Sequence, residues 1–262
     1  MNFKTMLLAT AAVAVFASSA DAKDFTGSLF LPSQGEVLSD TGIDFDRTKT
    51  KGGFVEEDFS ASEELTYGVT DNFSVYGGVA NYFDFPKVTG RDYNNDHNFA
   101  YELGAKYNQN FGNVLTQFGL GYNTFKPASW YGHRYWDNNE WVKVINAEAQ
   151  IGYDMGNGFV PYATFEATSV VDAKDRVMNY AAFAGVHKTC DKVAIDTGLR
   201  YEFNTDEGAN TNQVYWQAEA DYFLKDNVAL GVHGDYYLGG SDLWGAATKY
   251  DYTIGAQLKV LF

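Results

Sequence analysis

From Tyr250 to Phe262 the chain alternates without a break. Tyr250, Tyr252, Ile254, Ala256, Leu258, Val260 and Phe262 share one face, while Asp251, Thr253, Gly255, Gln257, Lys259 and Leu261 share the other. Side chains on a strand point to opposite sides with a period of two, so one side of this strand is greasy and aromatic and the other largely polar. A strand of about ten residues, apolar outward and polar inward, is what a closed sheet needs to cross a bilayer. An ordinary amphipathic strand could pack on a soluble core in the same way, so the rest of the chain has to decide.

Composition supports the closed sheet. The chain holds 20 Phe, 19 Tyr and 26 Gly but only 4 Pro, and its mean hydropathy is −0.31. A barrel hides its hydrophobic surface in every second residue, so its average looks soluble. A positive Lys4, an apolar stretch from Met6 to Phe16 and the small-residue triplet Ala20-Asp21-Ala22 predict a cleaved export signal over residues 1–22. No other stretch approaches the ~20 apolar residues of a spanning helix. A single Cys190 excludes a disulfide framework within the monomer. A net charge of −15 argues against nucleic acid as a partner.

The connections alternate in length. Tight turns rich in Gly, Asn and Asp fall at 70–72, 110–113, 156–158, 189–192 and 225–227, and longer stretches fall near 86–97, 126–140, 170–176, 204–211 and 239–247, with a shorter one near 49–53. A soluble sandwich has turn signals but no reason to keep short and long connections in strict alternation. Five turns interleaved with six loops predict twelve strands, a single closed antiparallel transmembrane β-barrel over 36–262. Residues 23–35 are left over, and Phe25, Leu29, Phe30 and Leu31 are too apolar to extend freely into water. They are expected to tuck into the lumen or lie at its periplasmic mouth.

Alternation also assigns the wall. Phe99, Leu103, Tyr107, Phe118, Leu120, Tyr122, Ile151, Tyr153, Ile195, Leu199, Tyr201, Trp216, Tyr222, Leu230, Val232 and Tyr236 are expected to face outward. Over 177–188 the phase is ambiguous: either Met178, Tyr180, Ala182, Ala184 and Val186 face outward, or Val177, Ala181 and Phe183 do. The expected lumen lining comprises Glu102, Lys106, Glu148, Glu166, Asp196, Arg200, Glu219, Asp221, His233, Asp235 and Asp251, with Glu56, Asp58, Glu64, Glu202, Lys249 and Lys259 on the same faces. Carboxylates dominate, so an open lumen would concentrate cations and repel anions. A closed interior knitted by pairs such as Arg200 with Asp196 and Glu202 is the alternative. Glu63 breaks the outward rule near mid-height, about diagonal to the outward Asn81 across the turn at 70–72, and Lys143 breaks it near the rim, where it can snorkel. A β-bulge that shifts Glu63 to the inner face is one explanation, and an oligomeric contact through the Glu63/Asn81 hairpin is the other.

Few residues point to chemistry. His97 and His133 fall in expected external loops, His187 follows the ambiguous strand, and His233 faces the lumen. None stands beside an outward Ser in a nucleophile–base arrangement, so no catalytic residue, cofactor or metal is assigned and the chain is read as a non-enzyme. Asp92, Asn94 and Asp96 have the spacing of a calcium loop, but His97 and Leu103 stand where its Gly and bidentate Glu belong. Trp130, Tyr131, Arg134, Tyr135 and Trp136 crowd one external connection, a surface that could stack on sugar, grip lipopolysaccharide, fold inward as a constriction or simply pack on itself.

The closing strand with its terminal Phe262 resembles the C-terminal signal of Gram-negative outer-membrane β-barrel proteins, a porin-like family. The resemblance spans the chain in layout but only the export signal and last strand in motif. It implies residence in the outer membrane, in contact with lipid and lipopolysaccharide, and insertion by the barrel-assembly machinery through Phe262. The expected function is a narrow acidic-lined pore for passive diffusion of small cationic or neutral solutes. The alternatives are a closed barrel acting through its external loops and, further off, a lipid-modifying enzyme.

Overall fold

The computed structural model of the chain describes residues 24–50, 55–84, 87–88, 91–92, 97–125, 141–171, 178–205, 211–241 and 248–262. In chain order the strands are β1 (Val37–Thr50), β2 (Val55–Thr70), β3 (Phe73–Asp84), β4 (Lys87–Val88), β5 (Arg91–Asp92), β6 (His97–Phe111) and β7 (Val114–Phe125). They continue as β8 (Val142–Tyr153), β9 (Phe159–Val170), β10 (Met178–Cys190), β11 (Val193–Thr205), β12 (Thr211–Lys225), β13 (Val228–Ser241) and β14 (Thr248–Leu261). The twelve long strands form one antiparallel ring, closed where β1 pairs with both β2 and β14. Closure satisfies every strand edge, which an uncapped sheet in lipid could not do. At the seam Val37 and Phe262 exchange backbone hydrogen bonds of 3.1 and 2.9 Å.

The five tight turns fall where the polar, Gly-rich dipeptides predict them. Asn157 and Asp191 adopt positive φ (52° and 47°), a conformation Asn and Asp tolerate better than other side-chain-bearing residues. The short pair β4–β5 lies within the connection between β3 and β6 and is an addition to the expected layout. His97 opens β6 instead of lying in the loop, and β13 runs on to Ser241, past the expected start of the last loop.

Cross-strand register fixes the two faces. The expected outward residues are exposed from Phe99 to Tyr236, and Tyr67, Tyr107, Tyr153 and Tyr222 ring the short-turn end. Trp141, Tyr201, Trp216 and Tyr236 ring the other, so aromatics flank an aliphatic band as a bilayer-spanning wall requires. In β10, Tyr180 pairs with Ala167 and Phe203, which puts Met178, Tyr180, Ala182, Ala184 and Val186 outward and resolves the ambiguous strand. Phe183 and His187 therefore point inward, and both are buried.

The bulge expected at Glu63 is absent. The β1–β2 register is unbroken through Thr41–Glu63, and the β2–β3 register shifts only near Gly68–Thr70. Glu63 thus faces outward with Leu65 and Tyr67. Its carboxylate is held by Ser39, whose hydroxyl donates over 2.7 Å, and by the hydroxyl of Thr41.

Candidate functional site

Residues 24–36 cross the short-turn mouth of the barrel and meet several walls. Asp24 accepts a hydrogen bond from the His187 ring at 2.6 Å and another from the Thr189 hydroxyl, both on β10. The carbonyl of Thr26 accepts from Lys259 of β14 at 3.4 Å, and that of Leu29 accepts from Asn108 of β6 at 3.0 Å. Phe25, 1% exposed, sits against Phe30, Leu38, Phe223, Ala229 and Leu261. Its ring meets that of Phe223 edge-on at 5.6 Å. The segment returns to β1 through Gly35, whose N–H donates to Gly68. Gly68 has no room for a side chain: a Cβ there would lie 2.0 Å from the Ser33 carbonyl oxygen. Burial alone would raise the Asp24 carboxyl, but the hydrogen bond and charge of His187, with the hydroxyls of Thr189 and Thr26, hold it down at about 2. The segment is a crossbar anchored by one ion pair and one aromatic knob.

Above the crossbar the lumen wall is charged and partnered. Arg200 of β11 grips Glu166 with two guanidinium N–H groups (3.0 and 2.7 Å) and Glu202 with the third (2.7 Å). Ala181 pairs with both Glu166 and Glu202, so the strand between them carries a small side chain at that level. The Arg200–Asp196 pair expected from spacing does not form. Asp196 instead accepts from the Tyr162 hydroxyl at 2.7 Å and lies 3.5 Å from the second ring nitrogen of His187. Lys259 reaches Glu219 at 2.5 Å and Asp221 at 3.3 Å, and Gln257 donates to the same two carboxylates. His233 meets Asp44 at 2.6 Å, and Asp251 accepts from Thr48 and Tyr215.

These groups surround a cavity of about 470 Å³, walled by Tyr162, Phe183, Asp196, Glu219 and Asp235 and floored by Thr26 and Ser28 of the crossbar. A second cavity of about 210 Å³ holds Glu64, Glu102, Glu148 and Lys106, and the ammonium of Lys106 lies 5.3 Å from the centre of the Tyr76 ring. All eleven lumen candidates thus lie on the inner face, and β1 adds Asp40, Asp44 and Asp46. The side chains of Glu56 and Lys249 lie outside the described residues, as do Asn94, Asp96, His133 and the loop candidates Trp130, Tyr131, Arg134, Tyr135 and Trp136. At the edge of that loop Trp141 packs on Tyr101, ring centres 5.6 Å apart.

Thr189, His187 and Asp196 resemble a nucleophile relay, with the hydroxyl 3.2 Å from the ring nitrogen. Asp24 occupies that nitrogen at 2.6 Å and also takes the hydroxyl's proton bond, so the relay has no free base.

A closed antiparallel ring, an apolar band between aromatic girdles and a polar interior define a β-barrel of the outer-membrane type. Solved structures of such barrels are similar to this chain. A COG4313 outer membrane channel from Pseudomonas putida F1 matches with a TM-score of 0.65 at 14% identity, covering 93% of this chain and 100% of the other. The NanC porin matches with a TM-score of 0.55 at 6% identity, covering 84% and 98%. The β domain of the Bordetella autotransporter BrkA matches with a TM-score of 0.55 at 10% identity, covering 87% and 100%. No protein-family model matches the chain, and no curated protein does.

Proposed function

We propose that the protein is exported by cleavage of residues 1–22, inserts into the outer membrane of a Gram-negative bacterium with its short turns in the periplasm, and admits small cationic or neutral solutes. The observation that carries this reading is the interior. Carboxylates from nine of the twelve long strands line a polar lumen, while Lys106, Arg200 and Lys259 each face several of them. Low-dielectric walls focus that excess of negative charge, which attracts cations and repels anions. Lipid, lipopolysaccharide and the barrel-assembly machinery are its proposed partners, the last acting on the strand that ends in Phe262. The reading assigns no catalytic residue, and the channel and porin named above share its barrel fold.

The crossbar supports a second reading, a closed barrel acting through its external loops, because it lies across the periplasmic mouth. Planar-bilayer conductance of the refolded protein, with and without residues 24–32, separates the two. Cation-selective steps that grow on removal of the crossbar, and lose selectivity in Asp235→Asn and Asp251→Asn, support the pore. Folded barrels that stay silent in both forms sink it.

A further inference from the structure

We propose that the cavity above the crossbar is a binding site for a small organic cation bearing an ammonium or guanidinium group. This deepens the reading of the lumen as a cation path and rests on it. The cavity, about 470 Å³, lies within the size range of small-molecule sites.

Its lining is more than a cluster of acids. Tyr162 and Phe183 lie with ring centres 5.2 Å apart on its wall, an aromatic surface that attracts a cation through the ring quadrupole. Gln150, only 9% exposed, is aligned by donating to Glu148 at 2.6 Å. Its side-chain carbonyl oxygen is buried in the same wall and meets no donor of the protein, so it is an acceptor awaiting an N–H.

The built-in cations do not serve these groups. Arg200 is spent on Glu166 and Glu202, and Lys259 on Glu219, Asp221 and the Thr26 carbonyl. Asp235 lines the cavity, accepts a hydrogen bond from Gln217 and forms no ion pair among the described residues, and His233 beside it is paired with Asp44. An anion would meet this excess of carboxylates, and an apolar solute would leave the Gln150 oxygen unpaired. A cation with several N–H donors satisfies the acceptors, the charge and the aromatic face together. Because Thr26 and Ser28 form the floor, the occupant also touches the crossbar.

Isothermal titration calorimetry of the refolded full chain in detergent micelles tests this, with agmatine and putrescine as probes and 1,4-butanediol as the uncharged comparator. Agmatine should saturate one site. Its affinity should fall tenfold or more in Asp235→Asn and in Phe183→Leu, and stay unchanged in Asp226→Asn, which removes a charge from an exposed turn. Heat-modifiable gel mobility confirms that each variant is folded. No saturable binding, equal binding of butanediol, or wild-type affinity in both cavity variants would overturn the proposal. Conductance is read separately: a barrel that conducts cations yet binds no agmatine loses the site and keeps the pore. One that binds agmatine without conducting keeps the site and loses the pore.

Discussion

Glu63 puts a carboxylate on the lipid-facing wall near the middle of β2, and two hydroxyls explain how the fold tolerates it. A charged group in that position loses its water, and each missing hydrogen bond to it costs about 1–3 kcal/mol. Ser39 and Thr41 lie one strand over, on the same face, and supply those bonds. The double change Ser39→Ala with Thr41→Ala removes two such bonds and should therefore destabilise the barrel by about 2–6 kcal/mol. Adding Glu63→Leu should restore most of the loss, since it removes the carboxylate that those hydroxyls serve. Urea unfolding in lipid vesicles measures both. If Glu63 instead contacts a second copy of the chain, Glu63→Leu alone would change the crosslinked oligomer. Lys143 is a simpler exception, because it lies at the long-loop end of β8 with its side chain exposed, where a lysine can snorkel.

At the scale of the element, the strands were legible and the crossbar's anchors were not. Each strand announces itself by a period of two, and each short turn by residues that tolerate positive φ, as Asn157 and Asp191 do. Those signals are local, so the count of strands, the turns and the lumen face could be read along the chain. The contacts that hold the crossbar are not local: Asp24 and His187 lie 163 positions apart, and no periodicity links them. Gly68, where a side chain would strike the Ser33 carbonyl, was the faint clue, and it reads equally as a turn residue. The pairing of Arg200 with Glu166 was missed for the same reason, because the partner sits two strands away.

The crossbar itself is testable as an element. Phe25→Ala empties a nearly sealed aromatic socket, a change that costs about 3–5 kcal/mol in well-packed sites. Only the crossbar and its seat depend on that knob, so the barrel should stay folded while the segment lifts. A spin label at Ser28→Cys, in a Cys190→Ser background, should turn from immobile to mobile. Acid should do the same by another route. Asp24 has its carboxyl lowered from 3.8 to about 2 when docked, so its contribution is complete above pH 3.8 and fades as pH falls through about 2. The mobile fraction should rise between pH 4 and pH 2, and Asp24→Asn should already be mobile at pH 7 with that acid step gone.

At the scale of the whole molecule the proposed pore is a charged tube within a neutral wall, and this sets the range over which it would act on a solute. Lumen carboxylates already matched to Arg200, Lys259 or a histidine contribute little field at a distance, because each pair is nearly neutral from outside. The proposed selectivity must then come from the unmatched remainder, such as Asp235 and the acids around Lys106. Mobile ions screen that remainder over about 10 Å at 0.1 M salt but only about 3 Å at 1 M. The field of those acids thus carries across the lumen to a passing ion at the lower salt and is largely screened at the higher. Reversal potentials should therefore show clear cation preference in dilute KCl gradients and a markedly weaker one when both sides exceed 1 M. Neutralising Asp235 should shift the dilute value and barely move the concentrated one. A preference that ignored salt would instead point to contact at a dehydrated constriction, where screening does not reach, and would move the source of selectivity from the field of the tube to a single ring of side chains.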